Sequence, residues 1–302
     1  MNTPALSVVI PTHKRVDTLR ECLAHLERQT MRDSVEVIVV SDGHDDATTA
    51  LFRTQDAWKM NVKFFEIEKS QQGVARNKGV QEARGEYVLF GQDDIFLAAD
   101  VCEKHVKVLQ GCHGELVEPR PSGVLRQAQD DKVAVLGFTT WDPALKITPV
   151  MKWLEKSGWQ FGYPQIAAYA HKLLPQDIQH RFTYTSHISL PRDIALRFPF
   201  LSTDIYGWED IEWGKRLAEN GVRLFYEPDA KAWHHHTITM EESLKRMETL
   251  GTSAMQMAKR SGSFDRVPKG WKLLAYHLLA LLPTMRGRHA KAFLHGIDIF
   301  YN

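Results

Sequence analysis

Three polar side chains follow a short apolar run in the stretch EYVLFGQDDIF. The run Tyr87–Phe90 leads to Gln92, Asp93 and Asp94, after which the sequence turns apolar again. Two adjacent carboxylates at the end of a buried strand repel each other and are costly to desolvate, so a cation or a proton is expected to share their site. The simpler interpretation is an acidic pair that caps a turn. Residues elsewhere in the chain must decide between these two interpretations.

Other candidate residues are scattered along the chain and give weak signals when taken one at a time. Asp42 in VVSDG is typical of an Asx turn, and the acids Glu209 and Asp210 in GWEDIEW are typical of a helix start. The triplet HHH that begins at His234 lacks the i, i+4 spacing of a helical zinc site. These residues indicate a functional site only if their order along the chain and the elements that position them bring them together.

Short apolar runs that end in polar residues alternate with helical patterns over the first hundred residues or so. Strands are predicted at Leu6–Thr12, Val35–Gly43 and Val62–Glu68, and a helix with an apolar stripe lies between Asp17 and Thr30. This alternation predicts an α/β fold with a doubly wound, mostly parallel sheet flanked by helices. Since ligands bind beyond the carboxyl ends of such strands, the polar strand ends should converge on one edge of the sheet.

The second half of the chain divides into three kinds of sequence. Residues 110–132 are rich in Gly, Pro, Gln and Asp and are predicted to be an exposed insertion, after which regular patterning resumes at 133. Residues 241–302 are predicted to be a C-terminal helical extension. Within it, the almost wholly apolar segment Trp271–Leu282 is too short to span a bilayer and is flanked by Lys and Arg. The pattern fits a helix at an anionic membrane surface or a helix packed on the protein equally well.

Composition excludes some classes of partner. The chain has 302 residues, with 38 Lys and Arg against 37 Asp and Glu, so no global field points to nucleic acid. Three cysteines without CxxC spacing favour a reducing compartment, and the N-terminus lacks the pattern of a secretory signal. A cytoplasmic location is therefore expected.

Taken in order, these segments resemble the family-2 nucleotide-sugar glycosyltransferases with the GT-A fold. The resemblance runs through SVVIPTHKR, VIVVSDGHDD, GVARNKGVQEARGEYVLFGQDD, GWEDIEWGKRLAENG and YEPDAKAWHHH, over roughly residues 5 to 240. It implies a GT-A domain over 1–240, with a nucleotide-binding half at about 1–100 and an acceptor and catalytic half at about 133–240.

The resemblance also assigns roles to the polar strand ends. It implies that a UDP- or GDP-sugar is bound by Pro11, Thr12, Arg15, Asp42, Arg76, Gln92 and Asp93. It implies a Mg²⁺ or Mn²⁺ ion that bridges the diphosphate and is held by Asp94, Asp93 and His234. Gln92 departs from the family pattern, which places an aspartate there in an Asp-x-Asp arrangement.

The implied chemistry is inverting sugar transfer, in which a carboxylate removes the proton of the acceptor hydroxyl. That role falls on Asp210 or on its neighbour Glu209, and the sequence does not fix which. The implied acceptor is a glycan or a lipid-linked sugar in cell-surface polysaccharide or glycolipid synthesis, which favours peripheral attachment to the cytoplasmic face of the membrane.

Two other classes of protein share part of this pattern. A sugar nucleotidyltransferase would show a Gly-rich phosphate loop near the N-terminus, whereas IPTHKR has no glycine. A non-catalytic nucleotide- or glycan-binding relative would be consistent with Gln92 and the insertion.

Overall fold

The computed structural model describes residues 3–53, 58–111, 132–202, 205–262 and 264–301. Most of the predicted insertion, 112–131, lies outside the described residues. Its first two residues were placed wrongly, because Gln110 and Gly111 complete a helix whose buried face ends at Leu109. The chain forms two compact units, one of residues 1–142, 162–202 and 210–235, the other of residues 143–161, 203–209 and 236–302.

Nine strands in the described part of the chain form one sheet, which belongs wholly to the first unit. They are β1 (Leu6–Thr12), β2 (Val35–Asp42), β3 (Asn61–Ile67), β4 (Tyr87–Phe90), β5 (Ile95–Leu97), β6 (Val133–Trp141), β7 (Lys172–Leu173), β8 (Ile188–Pro191) and β9 (Arg223–His234). Their order is β3-β2-β1-β4-β8-β6-β9-β5, with β7 paired to β9. Pairing is parallel from β3 to β4 and between β6 and β9, and antiparallel elsewhere. The predicted α/β class and the first strand are confirmed.

The described residues of the two units also form eleven α-helices. They are α1 (Val16–Glu27), α2 (Asp46–Phe52), α3 (Gln72–Glu82), α4 (Val101–Gly111), α5 (Pro149–Ser157), α6 (Tyr163–Ile166), α7 (Arg192–Arg197), α8 (Glu209–Glu219), α9 (Met240–Ser261), α10 (Trp271–Ala280) and α11 (Met285–Tyr301). Short 3₁₀ turns lie at Arg32–Ser34, Ala167–Tyr169 and Gln179–Phe182.

The core forms where apolar strands meet the apolar stripe of α1. Strands β1 and β2 are buried along their whole length, and Leu19, Leu23 and Leu26 of α1 pack into the same cluster. The predicted third strand is partly exposed, because β3 is the edge of the sheet. Continuous apolar character therefore marks the central strands, and its loss marks the edge.

Two later elements of the chain differ from what their sequence patterns indicate. The apolar run VRLFYEP covers only the first part of β9, which pairs with β6 again after the interruption at residues 228–230 and ends at His234. In α8, Trp213 is fully buried and Ile211 is not, because the Trp213 indole fills a space against Phe90 and Phe200.

Two histidines, His105 on α4 and His187 directly before β8, are completely buried. The rings of His105 and His187 lie 5.0 Å apart, and His105 Nδ1 is 2.7 Å from the hydroxyl of Ser189. Burial lowers the pKa of His187 to about 3 and lowers the pKa of His105 well below its ordinary value. Both rings are therefore neutral in the folded protein at pH values where the unfolded chain binds protons.

We expect this pair to destabilise the fold in acid. Below about pH 6.5 each histidine should remove about 1.4 kcal/mol of stability per pH unit, because only the unfolded state takes up its proton. Urea unfolding between pH 7 and pH 5 measures this slope, which His105→Gln should flatten and exposed His277→Gln should leave unchanged. An unchanged slope in His105→Gln would contradict the assignment.

The second unit is helical. Helix α9 begins with a capping box between Thr239 and Glu242 and packs closely on α11, where a Cβ added at Gly296 would lie 1.9 Å from the Glu248 carbonyl oxygen. No described helix is both long and apolar enough to cross a membrane. Helix α10 instead carries large apolar side chains that remain exposed: Trp271, Leu274 and Leu278, continued by Leu281 and Leu282.

Candidate active site

The ends of β1 and β4 bring four of the predicted site residues together. Thr12, the last residue of β1, donates its hydroxyl proton to Asp93 Oδ2 at 2.8 Å. Arg15 reaches both carboxylates: its Nη1 donates to Asp94 Oδ2 at 2.7 Å and its Nε to Asp93 Oδ2 at 3.2 Å, while Nη2 pairs with Asp93 Oδ1. The adjacent acids are therefore an ion-paired cluster at the carboxyl ends of the parallel strands.

The chain between β1 and α1 turns sharply to place Arg15. Lys14 adopts a φ of 53°, in the left-handed region, immediately before Arg15, and α1 begins at the next residue. Further along α1, the thiol of Cys22 lies 3.5 Å from the Gln92 carbonyl oxygen and 3.6 Å from the Ile95 carbonyl oxygen. Helix α1 is thereby fixed against the segment that carries the acids.

The two carboxyl groups have opposite electrostatic environments. Burial raises the pKa of Asp93 above its ordinary value, and the neighbouring Asp94 raises it further against the opposing charge of Arg15. Burial acts on Asp94 in the same direction, but His234 and Arg15 outweigh it and hold the pKa of Asp94 below its usual range. Asp94 is therefore the firmly ionised member of the pair.

His234 lies beside this cluster at the end of β9. Its Nε2 is 3.6 Å from Asp94 Oδ2, and its ring stacks on Trp141 with the ring centres 5.1 Å apart. The next residue, His235, donates its backbone N–H to the Asp94 carbonyl oxygen at 2.8 Å. The antiparallel pairing of β5 with β9 thus carries the histidines to the acidic pair.

Sequence reasoning missed Asp142, which follows the end of β6. Its Oδ2 lies 2.6 Å from His235 Nδ1, and its backbone N–H donates to the His234 carbonyl oxygen at 3.2 Å. The signal was present, because Asp142 is a carboxylate after a buried strand, like Asp42 and Asp94. Asp142 orients the imidazole of His235 and the backbone of its neighbour.

Asp42 ends β2 and has protein partners of its own. It accepts hydrogen bonds from Lys69 Nζ at 2.6 Å, from the Ser70 N–H at 2.7 Å and from the Gln71 N–H. Burial alone would raise the pKa of Asp42, but these donors lower it below the ordinary value. Lys69 is a second residue that sequence reasoning missed, and with Asp42 it fixes the turn before α3.

Three further predicted donor-site residues lie near these strand ends or in α3. Pro11 is buried in β1 opposite Val40, and Gln92 is half-buried beside Asp93. Arg76 is fully buried within α3, where its Nη2 donates to Gln72 at 3.2 Å and its guanidinium lies over the Phe200 ring. Their locations do not show whether these residues bind a nucleotide-sugar, so that role stays a prediction.

The second acidic pair begins helix α8. In the first turn of α8, Asp210 Oδ1 accepts the Ile211 N–H at 2.8 Å, and the Asp210 carbonyl oxygen accepts the Thr183 hydroxyl proton at 2.7 Å. Gly214 lets the helix approach Thr183 closely, since an added Cβ would lie 2.2 Å from the Thr183 hydroxyl oxygen. The start of α8, with Glu209 and Asp210 half-buried, is held in a defined place.

Comparison with known proteins supports the sequence resemblance. Residues 7–116 match the model of the family described as Glycosyl transferase family 2. The chain is 36% identical over 109 residues to the putative glycosyltransferase EpsH of Bacillus subtilis, covering 35% of this chain and 31% of EpsH. It is 28% identical over 241 residues to validoxylamine A glucosyltransferase of Streptomyces hygroscopicus, covering 74% of this chain and 53% of that protein. The matched segment of this chain thus spans 31% of EpsH and about half, 53%, of the validoxylamine A glucosyltransferase.

Solved structures share the fold at low sequence identity. The mannosyltransferase PcManGT from Pyrobaculum calidifontis, in complex with GDP-Man and Mn²⁺, has a TM-score of 0.63 and 16% identity and covers 100% of this chain and 88% of its own. S. aureus TarS 1-349 in complex with UDP has a TM-score of 0.55 and 15% identity, covering 98% and 88%. The fold is therefore of the GT-A type, as the sequence resemblance predicted.

Proposed function

We propose that the protein is a glycosyltransferase that moves a sugar from a nucleotide-diphosphate donor to an acceptor hydroxyl. The observation that carries this proposal is the cluster of Thr12, Arg15, Asp93 and Asp94 at the carboxyl ends of β1 and β4. That edge is where an open α/β sheet binds its ligand. The family match over residues 7–116 and the GDP-Man and UDP bound by proteins of the same fold support a nucleotide-sugar donor.

The residues at this edge fit a divalent cation. Asp94 Oδ1 is buried and accepts no hydrogen bond from any described residue, so it has an unused lone pair directed into the protein. Carboxylate oxygens are the ligands that Mg²⁺ and Mn²⁺ prefer, and Asp94, Asp93 and His234 would hold the ion. Such an ion supplies positive charge that lets the diphosphate approach the carboxylates and leave after transfer.

We infer that transfer inverts the anomeric carbon and that a carboxylate at the start of α8 is the base. Asp210 is our first choice, and Glu209 is the alternative. The base takes the proton of the acceptor hydroxyl as its oxygen attacks the sugar from the side opposite the diphosphate. The start of α8 is held by the hydrogen bonds of Asp210 to the Ile211 N–H and the Thr183 hydroxyl, which supports this role because a base must be held in place.

The nucleotidyltransferase and the non-catalytic relative are not favoured. The proteins that the chain resembles in sequence are named as glycosyltransferases, and the acidic residues Asp94 and Asp210 are both present.

A thermal-shift screen with purified protein tests the donor class. UDP, GDP, CDP and ADP are each added with Mn²⁺ and, separately, with EDTA. A nucleotide at about a hundred times its Kd should add about 2.7 kcal/mol of stability, which raises the melting temperature by a few degrees. One diphosphate should stabilise the protein with Mn²⁺ and much less with EDTA. Stabilisation by none of them would count against the proposal.

We also propose that the acceptor is a glycan or a lipid-linked sugar at the cytoplasmic face of the membrane, in surface polysaccharide or glycolipid synthesis. Support comes from α10, where Trp271, Leu274 and Leu278 recur at helical spacing and, with Leu281 and Leu282, are between 49 and 79% exposed. Between residues 266 and 297 the chain has six Lys or Arg residues and no Asp or Glu. An exposed apolar face among basic residues fits anionic head groups.

The full-length protein should therefore sediment with anionic liposomes at low salt. High salt should release it, because each basic residue near the surface contributes about 1 kcal/mol that ions screen. Trp271→Ser with Leu278→Ser, or removal of residues 266–302, should abolish sedimentation, whereas Leu196→Ser, a similar change at a 41% exposed leucine of α7, should not. Protein that stays in the supernatant at low salt would favour a soluble acceptor.

A further inference from the structure

Arg15 already provides positive charge to the acidic pair. Its guanidinium contacts both carboxylates, through Nη1 to Asp94 and through Nε and Nη2 to Asp93. We propose that Arg15 is an internal counter-ion that keeps free divalent cations from binding to Asp93 and Asp94 until a nucleoside diphosphate binds with them. The proposal rests on the proposed function, because it concerns the order in which the same site is filled.

Arg15 and a divalent cation would share the same carboxylates, because Arg15 already binds Asp93 and Oδ2 of Asp94 and leaves Oδ1 of Asp94 without a hydrogen bond from the described residues. Nη1 of Arg15 is 2.7 Å from Asp94 Oδ2, so a cation that arrives alone must either displace the guanidinium or remain beside it. A cation bound to Asp94 beside Arg15 would lie close to the guanidinium, and two positive charges at short range repel strongly where water is excluded. Since Asp93 and Asp94 have side chains only 0 and 7% exposed, little solvent is present to screen that repulsion.

The Arg15 guanidinium is far more exposed than the two carboxylates, so it is the group that can change position more easily. The Arg15 side chain is 42% exposed, and it extends from the short segment between β1 and α1. The acids follow directly after the buried strand β4, and Thr12 holds one of them. A change of Arg15 rotamer would move its positive charge away from Asp94 and leave both Asp94 oxygens available to a cation.

A diphosphate offers Arg15 a replacement partner. Guanidinium groups bind phosphate oxygens through paired hydrogen bonds about as well as they bind carboxylates. When the nucleotide arrives with its cation, Arg15 can turn to the phosphate and give its place at Asp94 to the cation. Binding of the cation and of the nucleotide is then coupled, and the coupling must be reciprocal.

Calorimetry with Mn²⁺ alone and with Mn²⁺ in the presence of UDP or GDP measures this coupling in the wild-type protein. We expect Mn²⁺ to bind weakly alone and on the order of ten- to a hundredfold more tightly with the nucleotide. The reading needs no enzyme turnover. Equal Mn²⁺ affinity with and without a nucleotide that itself binds would overturn the proposal.

The variant Arg15→Gln separates the counter-ion from the other residues of the site. It should bind Mn²⁺ alone about tenfold more tightly than wild type, with a correspondingly smaller gain from the nucleotide. Arg15→Lys keeps one charge but cannot bridge both acids, so its Mn²⁺ affinity should lie between the two. Arg20→Gln is the matched control, because Arg20 lies on α1 and pairs only with exposed Asp17 in the described contacts.

Two results would exclude this role for Arg15 while leaving the proposed function intact. One is a folded Arg15→Gln protein that binds Mn²⁺ no more tightly than wild type. The other is tight Mn²⁺ binding to the wild-type protein without nucleotide. If Arg15→Gln does not fold, the proposal is tested by the Mn²⁺ affinity of the wild-type protein with and without nucleotide and by the Mn²⁺ affinity of Arg15→Lys. Failure of the proposed function gives a different result, in which no nucleoside diphosphate binds to any of the proteins.

Discussion

Replacing Asp94 with alanine should abolish the metal-dependent binding of a nucleoside diphosphate. Asp94 is buried, its pKa is held below the usual range by His234 and Arg15, and its Oδ1 accepts no hydrogen bond from the described residues. Even residues that only support a metal ligand cost ten- to a hundredfold in affinity when they are changed, so loss of a ligand should cost about a hundredfold or more. Calorimetry of UDP and GDP in Mn²⁺ measures this loss.

The control for Asp94→Ala is Asp46→Ala, which removes an aspartate whose side chain is 89% exposed at the start of α2. That change should leave nucleotide affinity unaltered. The metal assignment fails if Asp94→Ala binds UDP or GDP as tightly as wild type, or if EDTA has no effect on the wild-type protein. Circular dichroism excludes a folding defect as the cause of lost binding.

Asp210→Asn should separate donor binding from sugar transfer. The variant removes the base but keeps an oxygen that can accept the Ile211 N–H, so the start of α8 should stay in place. A general base contributes about a hundred- to ten-thousandfold to the rate, so transfer should fall by that factor while donor affinity changes little. The measurement is kcat with saturating donor, paired with calorimetry of the same donor.

Glu209→Gln is the matched comparison for Asp210→Asn. If Asp210 is the base, Glu209→Gln should keep most of the activity, since its amide removes only a neighbouring charge. Near wild-type turnover in Asp210→Asn, together with a collapse in Glu209→Gln, would transfer the role to Glu209. Normal turnover in both variants would exclude a base at the start of α8.

The sequence predicted the strand ends well, for a simple physical reason. The apolar runs at Leu6–Thr12 and Tyr87–Phe90 are short and continuous, which is typical of central strands, and both runs became strands with the predicted bounds. Polar residues directly after such runs must lie at the same edge of a parallel sheet. Thr12, Asp93 and Asp94 are accordingly in contact or adjacent at that edge.

Ion pairs formed by residues in loops could not be predicted from the apolar runs of the sequence. Arg15 reaches both acids only because the backbone turns at Lys14 into the left-handed region, a conformation for which the sequence HKR gives no signal. Lys69 binds Asp42 from a turn far along the chain. Contacts between side chains on turns depend on tertiary packing, which hydrophobic periodicity does not predict.

The end of β9 shows how an interruption hides an element. The apolar run VRLFYEP ends at Pro228, and proline cannot donate a hydrogen bond to a strand ladder. The structure accommodates residues 228–230 as a bulge, and pairing with β6 resumes at Lys231. The apolar pattern alone does not show that the strand continues to His234, and the assignment of His234 as a metal ligand, which comes from the family resemblance, stays a prediction.

Turnover of a donor panel tests the central claim most directly. The protein is incubated with UDP- and GDP-sugars in Mn²⁺, with EDTA as the control, and the release of nucleoside diphosphate is measured in wild type, Asp94→Ala and Asp46→Ala. The account predicts metal-dependent release from one donor or a few related donors, lost in EDTA and in Asp94→Ala and retained in Asp46→Ala. Release that is equal in EDTA and in Asp94→Ala, or no release from any donor, would contradict it.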